Sequence, residues 1–513
     1  MDLQELRQKI DEIDDDLIRL FQQRMDVSAE IALYKKQNNI PVYDPEREKA
    51  KLREVSYKVE EERKVAIQSL YYMLFALSRA EQEKIINPDS DLIKSFGLLG
   101  EQLAHSFSPM IHAELGDYEY NLYEKKPEDV EGFLRDGDFD GLNITIPYKK
   151  TVMQFCNGGI SEAARAIGSV NTITRLSNGQ LYGDNTDYYG FSYLMNKTNV
   201  NPADGKIIIL GSGGSSLTVQ AVLRDMGAKE IAVISRYGTD NNNYNNIEKH
   251  RDAIMIINTT PVGMYPNNGV SPLYNSADLG VFKNCQAVVD LIYNPARTEL
   301  LLQAEERGIF CIGGLAMLAA QAKKSSELFT GISDFDVNNV NDVNIDAITA
   351  QIANRTQNIV LIGMPGCGKT SVGAELAKTI EREFVDTDEL IIKAAGKTIP
   401  AIFAEDGEEV FRILETGVLK SICGKSGLVI ATGGGVVTRP ENRRIIRQNG
   451  ITVFLARDIS QLPVSDRPLS ERDGIDVLAA ERLPLYKKWS DYAVLVHGVE
   501  QTAADIYKFL NFL

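Results

Sequence analysis

The chain is poor in the residues that metal and disulfide chemistry need. It has four histidines and five cysteines in 513 residues. The cysteines (156, 285, 311, 367, 423) are scattered, odd in number and form no CxxC, which excludes a disulfide framework and points to a reduced, cytoplasmic protein. So few histidines argue against a His-based zinc centre. No apolar run reaches the roughly 18 residues of a membrane span, and the charged start Met-Asp-Leu-Gln-Glu-Leu-Arg does not read as a signal peptide. Basic excess is also missing. Asp+Glu number 71 against 55 Lys+Arg, a net charge of −16, which disfavours a nucleic-acid partner.

What is present is ordinary globular composition, 44% hydrophobic and 25% charged, in a chain long enough for about three domains. Residues 1–88 contain no glycine, and apolar residues recur at helical spacing: Leu6, Ile10, Ile13, Leu17, Leu20, Val27, Ile31. This predicts helices near 3–38, 45–56 and 60–86. Residues 91–350 alternate short apolar strands with helical patterns, an α/β domain with a substrate lobe (91–190) and a nucleotide lobe (200–310). Residues 238–246 read as an exposed loop, and the Asp/Asn-rich stretch 332–346 as a surface linker. Residues 355–513 form a third, α/β domain.

The third domain opens with the strand Asn-Ile-Val-Leu-Ile and then Gly363-Met-Pro-Gly366-Cys367-Gly368-Lys369-Thr370, a phosphate loop followed by Ser371. Backbone N–H groups there converge on phosphate oxygens, Lys369 reaches the terminal phosphates, and the Thr370 hydroxyl suits Mg²⁺. Downstream stand Asp386 and Asp388, Arg412 with Glu415, Gly433-Gly434-Gly435, Asp466-Arg467-Pro468 and Arg482. Two carboxylates, a glycine run and three arginines suit a small polyhydroxylated carboxylate as acceptor. The set resembles shikimate kinase. The resemblance implies Asp388 on the acceptor hydroxyl, Asp386 near Mg²⁺, and Arg412 and Arg482 on the acceptor carboxylate. It also implies close backbone approach at Gly434 and Gly435, ATP on Gly366–Ser371, and Arg467 in a lid beside the transferred phosphoryl. The stretch before Arg467 is shorter than in many relatives, and a second lid arginine is absent.

In the middle domain, Lys206-Ile-Ile-Ile-Leu210 leads into Gly211-Ser-Gly213-Gly214-Ser215-Ser216, a dinucleotide loop whose third small position is serine. The next strand, Ile231–Ile234, ends in Ser235-Arg236; an arginine there favours a 2′-phosphate, hence NADP(H). Around this lobe lie Ser106-Phe-Ser108, Asn143-Ile-Thr145 with Lys149, Asn171-Thr172, Asp187, Pro261-Val-Gly263 and Gln321. In this order they resemble shikimate dehydrogenase. The resemblance implies Lys149 and Asp187 as the catalytic pair, Ser106, Ser108, Asn143, Thr145, Asn171 and Gln321 on the substrate, and Gly211, Gly213, Gly214, Ser215, Arg236 and Gly263 on the cofactor. Leu217 stands where many relatives carry a basic residue, and the segment from Arg236 to Asn258 is short for the usual helix. An NAD-dependent quinate dehydrogenase is the alternative reading.

In the first domain, Arg24 and Lys35 share a helix face, eleven residues apart. Arg7 lies about 26 Å from Arg24 along a helix axis, too far for one small ligand to touch both. If both serve one site, Arg7 comes from a second copy, which predicts an intertwined homodimer. Arg7, Arg24, Lys35, Asp44, Arg47, Glu48, Ser78 and Gln82 together resemble the all-helical chorismate mutases. The resemblance implies carboxylates clamped by Arg7, Arg24 and Arg47, further substrate contacts from Asp44, Glu48 and Ser78, and donors from Lys35 and Gln82 to the breaking ether bond. The alternative is a dimerisation or ligand-sensing module. The whole reading is a multifunctional enzyme acting on 3-dehydroshikimate, shikimate and chorismate.

Overall fold

The computed structural model describes the chain except residues 1–2, 39, 41, 43, 61–62, 87–93, 104–105, 117, 177, 239–241, 274–276, 331–339, 463–473 and 511–513. It divides into two compact units, residues 1–190 with 319–346, and residues 191–318 with 347–513.

The first unit begins with three helices, α1 (Leu3–Asn38), α2 (Pro45–Ser56) and α3 (Lys64–Ile86). No glycine or proline interrupts α1. The Asp44 side chain caps α2 by accepting from Arg47 N at 3.0 Å, and Pro45 occupies its first turn. Helix α3 starts at Lys64, four residues after the predicted start. It packs on α1, yet the apolar stripe of α1 stays open: Ile10, Ile13 and Leu17 are more than half exposed.

The substrate lobe follows as a mixed six-stranded sheet: β1 (Ser95–Gly100), β2 (Glu119–Glu124), β3 (Gly141–Ile144), β4 (Gly159–Ile160), β5 (Thr172–Arg175) and β6 (Leu181–Asp184). The spatial order is β2-β1-β3-β5-β6-β4. The helix Leu315–Thr330 returns to this lobe late in the chain, where Phe329 stacks on Phe96 at 4.6 Å between centroids.

The second unit carries two parallel sheets. In the nucleotide lobe, β7 (Lys206–Leu210), β8 (Glu230–Ile234), β9 (Met255–Asn258), β10 (Ala287–Asp290) and β11 (Phe310–Ile312) lie in the order β11-β10-β9-β7-β8. The strand order reverses at β7, which sets a topological switch point at the carboxyl ends of β7 and β9. A 3-10 helix, Tyr244–His250, spans the short segment where an α-helix was missing from the sequence pattern. In the third domain, β12 (Asn358–Ile362), β13 (Phe384–Asp386), β14 (Val429–Ala431), β15 (Gly450–Ala456) and β16 (Tyr492–Leu495) lie in the order β13-β14-β12-β15-β16. Strand β12 is buried throughout, as a central parallel strand must be.

The linker expected at 332–346 is corrected from residue 340 onward. A helix, Val340–Thr356, begins there, and Ile345, Ile348 and Ile352 are buried. Apolar residues at helical spacing outweigh the polar Asp/Asn content. Among the described residues no helix is long and apolar enough to cross a membrane.

Candidate active sites

In the third domain the phosphate loop joins β12 to the helix Lys369–Thr379. Gly363, Gly366 and Gly368 all have positive φ (152°, 76° and 107°), which turns successive N–H groups inward. The Lys369 ammonium is folded back on the loop, donating to Gly363 O at 2.9 Å and Met364 O at 3.0 Å. Cys367 is fully buried and packs into the domain core. Thr370 Oγ1 donates to Asp386 Oδ2 at 2.7 Å, and Asp386 Oδ1 accepts from Asp388 N at 2.9 Å. A hydroxyl and a carboxylate side by side are hard oxygen donors that fit Mg²⁺, which takes its other ligands from phosphate and water.

The loop opens into a cavity of about 600 Å³ lined by Lys369, Thr370, Ser371, Asp386, Asp388, Arg412, Glu415, Gly433–Gly435 and Arg482. Arg412 and Arg482 are 5% and 3% exposed. Arg412 Nη1 donates to Glu415 Oε2 at 2.9 Å, and burial raises the Glu415 carboxyl above its ordinary range. The three glycines admit the protein's own groups. A Cβ on Gly435 would overlap the Arg412 guanidinium. One on Gly434 would meet Pro365 at 2.7 Å, and one on Gly433 would meet Glu415 Oε1 at 2.8 Å and Asp388 Oδ1 at 2.9 Å. The Tyr486 hydroxyl donates to Gly434 O and pins the turn. Arg457 also lines the cavity. The sequence reading missed it, although it directly follows the carboxyl end of β15, where ligands gather in open α/β sheets. Arg467 lies outside the described residues.

In the substrate lobe, Lys149 Nζ donates to Asp187 Oδ2 at 2.5 Å. Asn171 Oδ1 accepts from Thr186 N at 2.6 Å, and Asn171 Nδ2 and Thr186 Oγ1 both approach Gln321 Oε1, at 3.5 and 3.2 Å. Ser108 N donates to Ser106 Oγ at 3.2 Å. Thr145 sits past the end of β3, where its N–H donates to Leu99 O at 2.9 Å. Asn143 is engaged by the protein itself: Nδ2 donates to Thr172 Oγ1 at 3.1 Å and Ser325 Oγ at 2.6 Å, and Oδ1 accepts from the Tyr120 hydroxyl at 2.8 Å. Its geometry is that of a brace. Sequence reasoning missed Ser325, which is fully buried and closes a triangle of hydroxyls with Thr172 (3.1 Å) and Thr186 (3.0 Å).

In the nucleotide lobe, Gly211 has φ +101°, and a Cβ there would meet Thr260 Cγ2 at 2.8 Å and Thr259 Oγ1 at 2.9 Å. Gly213 and Gly214 face open space, a cradle that side chains would fill, and Ser215 follows in the first helical turn. The cradle fits a pyrophosphate at a helix N-terminus. Ser216 is fully buried, and its hydroxyl accepts from Gln220 Nε2 at 3.2 Å, which explains how serine serves in the third small position. Arg236 is exposed just after β8. Gly263 has φ +94° and lies 2.8 Å, by its would-be Cβ, from Val270 O, so it also meets the needs of a turn.

In the helical domain, Arg24 Nη1 donates to Leu74 O at 2.8 Å and to Ser78 Oγ, and burial lowers its pKa. Ser28 Oγ donates to Ser78 Oγ at 3.0 Å. Lys35 Nζ donates to Val42 O at 2.6 Å. Gln82 is 6% exposed, and its Oε1 has no hydrogen-bond partner among the described residues. Glu48 pairs with Arg79, Asp44 serves as the helix cap, and Arg47 and Arg7 are exposed. Helix α1 is unbroken from Leu3 to Asn38, so Arg7 and Arg24 remain far apart within one copy.

Comparison with known proteins finds three families along the chain. Residues 6–83 match chorismate mutase type II, residues 98–173 the shikimate dehydrogenase substrate binding domain, and residues 365–513 shikimate kinase. The NADP(+) shikimate dehydrogenase of Clostridium perfringens is 36% identical over 261 residues, 47% of this chain and 93% of that protein. That of Methanopyrus kandleri is 37% identical over 267 residues, 46% of this chain and 89% of that protein. A solved chorismate mutase/shikimate 5-dehydrogenase fusion protein from Clostridium acetobutylicum is 36% identical, covers 50% of this chain and 96% of its own, and has a TM-score of 0.45. The chain belongs to the shikimate dehydrogenase family, and joined to that enzyme in one polypeptide are a chorismate mutase type II domain and a shikimate kinase domain.

Proposed function

We propose that the chain catalyses three reactions: chorismate to prephenate (residues 1–88), 3-dehydroshikimate to shikimate (91–350), and shikimate to shikimate 3-phosphate (355–513). The observation that carries this reading is that each part keeps its own chemical groups together: Arg24 with Ser78, Lys149 with Asp187, and Thr370 with Asp386.

In the reductase, NADPH would supply the hydride when bound. Lys149 holds the proton that the carbonyl oxygen receives, and Asp187 keeps the ammonium aimed. Asn171 and Gln321 orient the substrate hydroxyls, with Ser106 and Ser108 on its carboxylate. Gly211–Ser215 would hold the pyrophosphate, and Arg236 the 2′-phosphate. A quinate dehydrogenase using NAD is tested by comparing the four pairings of cofactor and substrate; the reading expects NADPH with dehydroshikimate to dominate.

In the kinase, a P–O bond forms between the acceptor hydroxyl and the terminal phosphoryl of ATP as the bond to ADP breaks. Asp388 orients that hydroxyl and accepts its proton, and Arg412 and Arg482 hold the acceptor's carboxylate. Lys369 exchanges its two loop carbonyls for phosphate oxygens. Thr370 and Asp386 would hold Mg²⁺, which offsets phosphate charge.

In the mutase, one C–C bond forms as one C–O bond breaks, and no proton moves. The protein's task is to clamp a dianion in its reactive shape and to donate toward the ether oxygen, roles assigned to Arg7, Arg24, Arg47, Lys35 and Gln82. A second copy of the chain supplies Arg7 and covers the exposed stripe of α1. Support comes from the separation of Arg7 and Arg24 and from the exposure of Ile10, Ile13 and Leu17. Arg24→Ala tests the mutase reading: prephenate formation is lost while sedimentation still reports a dimer. A sensing module would instead leave the wild-type chain without mutase activity. A cytoplasmic location is supported by five free cysteines.

A further inference from the structure

The helix Pro440–Asn449 of the kinase domain ends on the nucleotide lobe. The last carbonyls of a helix have no donors within it and must find them elsewhere. Here they come from far back in the chain. Arg297 N donates to Gln448 O at 2.8 Å, and the Arg297 guanidinium donates to Arg447 O at 3.2 Å. That cation also sits at the negative end of the helix dipole.

Ion pairs flank the cap, among them Arg444 with Glu306 at 3.4 Å. Arg444 reaches Glu299 with two N–H groups, at 2.7 and 3.3 Å, and Arg447 reaches Glu305 at 2.8 Å. Glu299 is on the helix Glu299–Glu306, whose carboxylates face the arginines of the kinase helix. The Glu299 side chain is only 14% exposed, so this pair is better shielded than an ordinary surface bridge. At its other end, the kinase helix holds the acceptor turn. Asn442 Nδ2 donates to Val436 O at 3.0 Å, and Asn442 Oδ1 accepts from Thr416 Oγ1 at 2.8 Å. Thr416 shares a helix with Arg412.

We propose that the helix Pro440–Asn449 is a docking strut: it joins the nucleotide lobe and the kinase domain into one body and holds the kinase's Gly433–Thr438 turn in place. The docking stands on geometry alone, and the effect on the acceptor rests on the kinase reading above. The strut makes a surface residue of the dehydrogenase a determinant of kinase substrate binding.

The test uses the full chain as wild type, Glu299→Arg, Arg444→Glu and the double swap. Hydrogen exchange followed by mass spectrometry reads the amides at 446–450. Glu299→Arg is expected to speed their exchange about tenfold and to raise the kinase KM for shikimate at least about threefold, with reduction of dehydroshikimate unchanged. The double swap is expected to recover both. Exchange in Glu299→Arg equal to wild type overturns the docking. Faster exchange with an unchanged KM overturns the strut. A wild-type chain that phosphorylates nothing defeats the kinase reading instead, and the exchange data still decide the docking.

Discussion

Lys149 and Asp187 meet as a 2.5 Å ion pair whose side chains are 23% and 14% exposed. One follows β3 and the other opens the helix Thr186–Asn196. The pair is sheltered enough to hold its geometry and open enough to meet substrate. Lys149→Met is therefore expected to lower kcat for dehydroshikimate reduction by about 10²–10⁴-fold. NADPH consumption measures this. Kinase and mutase rates in the same preparation should match wild type.

Ser325 predicts a subtler loss. Its hydroxyl accepts from Asn143 Nδ2 at 2.6 Å, donates to Gln321 O at 2.9 Å, and borders Thr172 and Thr186. Ser325→Ala removes the hub and leaves buried polar partners short, at a cost of about 1–3 kcal/mol in stability. Because Ser325 also holds Gln321, proposed above to orient the substrate hydroxyls, KM for dehydroshikimate should rise as well. Thermal unfolding and steady-state kinetics check the two effects separately.

Gly435→Ala should act through Arg412. The new methyl would occupy the guanidinium's place, so the arginine must leave its bond to Glu415. The expected result is a rise in the shikimate KM of at least about tenfold, equivalent to 1.4 kcal/mol, with ATP binding nearly unchanged. Equal losses of both substrates would contradict the assignment of Arg412 to the acceptor.

His112 sets a pH dependence in the substrate lobe. It is fully buried, bonded through Nδ1 to the Tyr118 hydroxyl at 2.8 Å and stacked on Tyr120 at 3.8 Å. Burial lowers its pKa to about 3 from the ordinary 6.5. The folded state disfavours the proton that the unfolded state accepts. Its contribution is therefore full above pH 6.5 and is lost as pH falls toward 3. His112→Phe should flatten this acid slope of the lobe's unfolding free energy, measured by denaturant titration across that range.

Local features were readable from the sequence. Helix α1 could be bounded because nothing in it breaks a helix, and Asp44-Pro45 announces the start of α2. The phosphate loop declares itself by the glycines that its backbone requires. Ser325 was invisible for the opposite reason: Asn143 is 182 residues away, and no spacing rule links them. The cap that Arg297 gives to the helix Pro440–Asn449 is hidden likewise, 150 residues distant. At 340–346 the error was one of weight; residues 332–339 lie outside the described residues. Composition spoke for a linker, while the spacing of Ile345, Ile348 and Ile352 spoke for a helix.

The most direct test of three activities in one polypeptide is a single incubation with 3-dehydroshikimate, NADPH, ATP, Mg²⁺ and chorismate, read by mass spectrometry. Shikimate 3-phosphate and prephenate are expected together, with Lys149→Met abolishing only the first. Shikimate that accumulates unphosphorylated, or chorismate left untouched, would contradict this expectation.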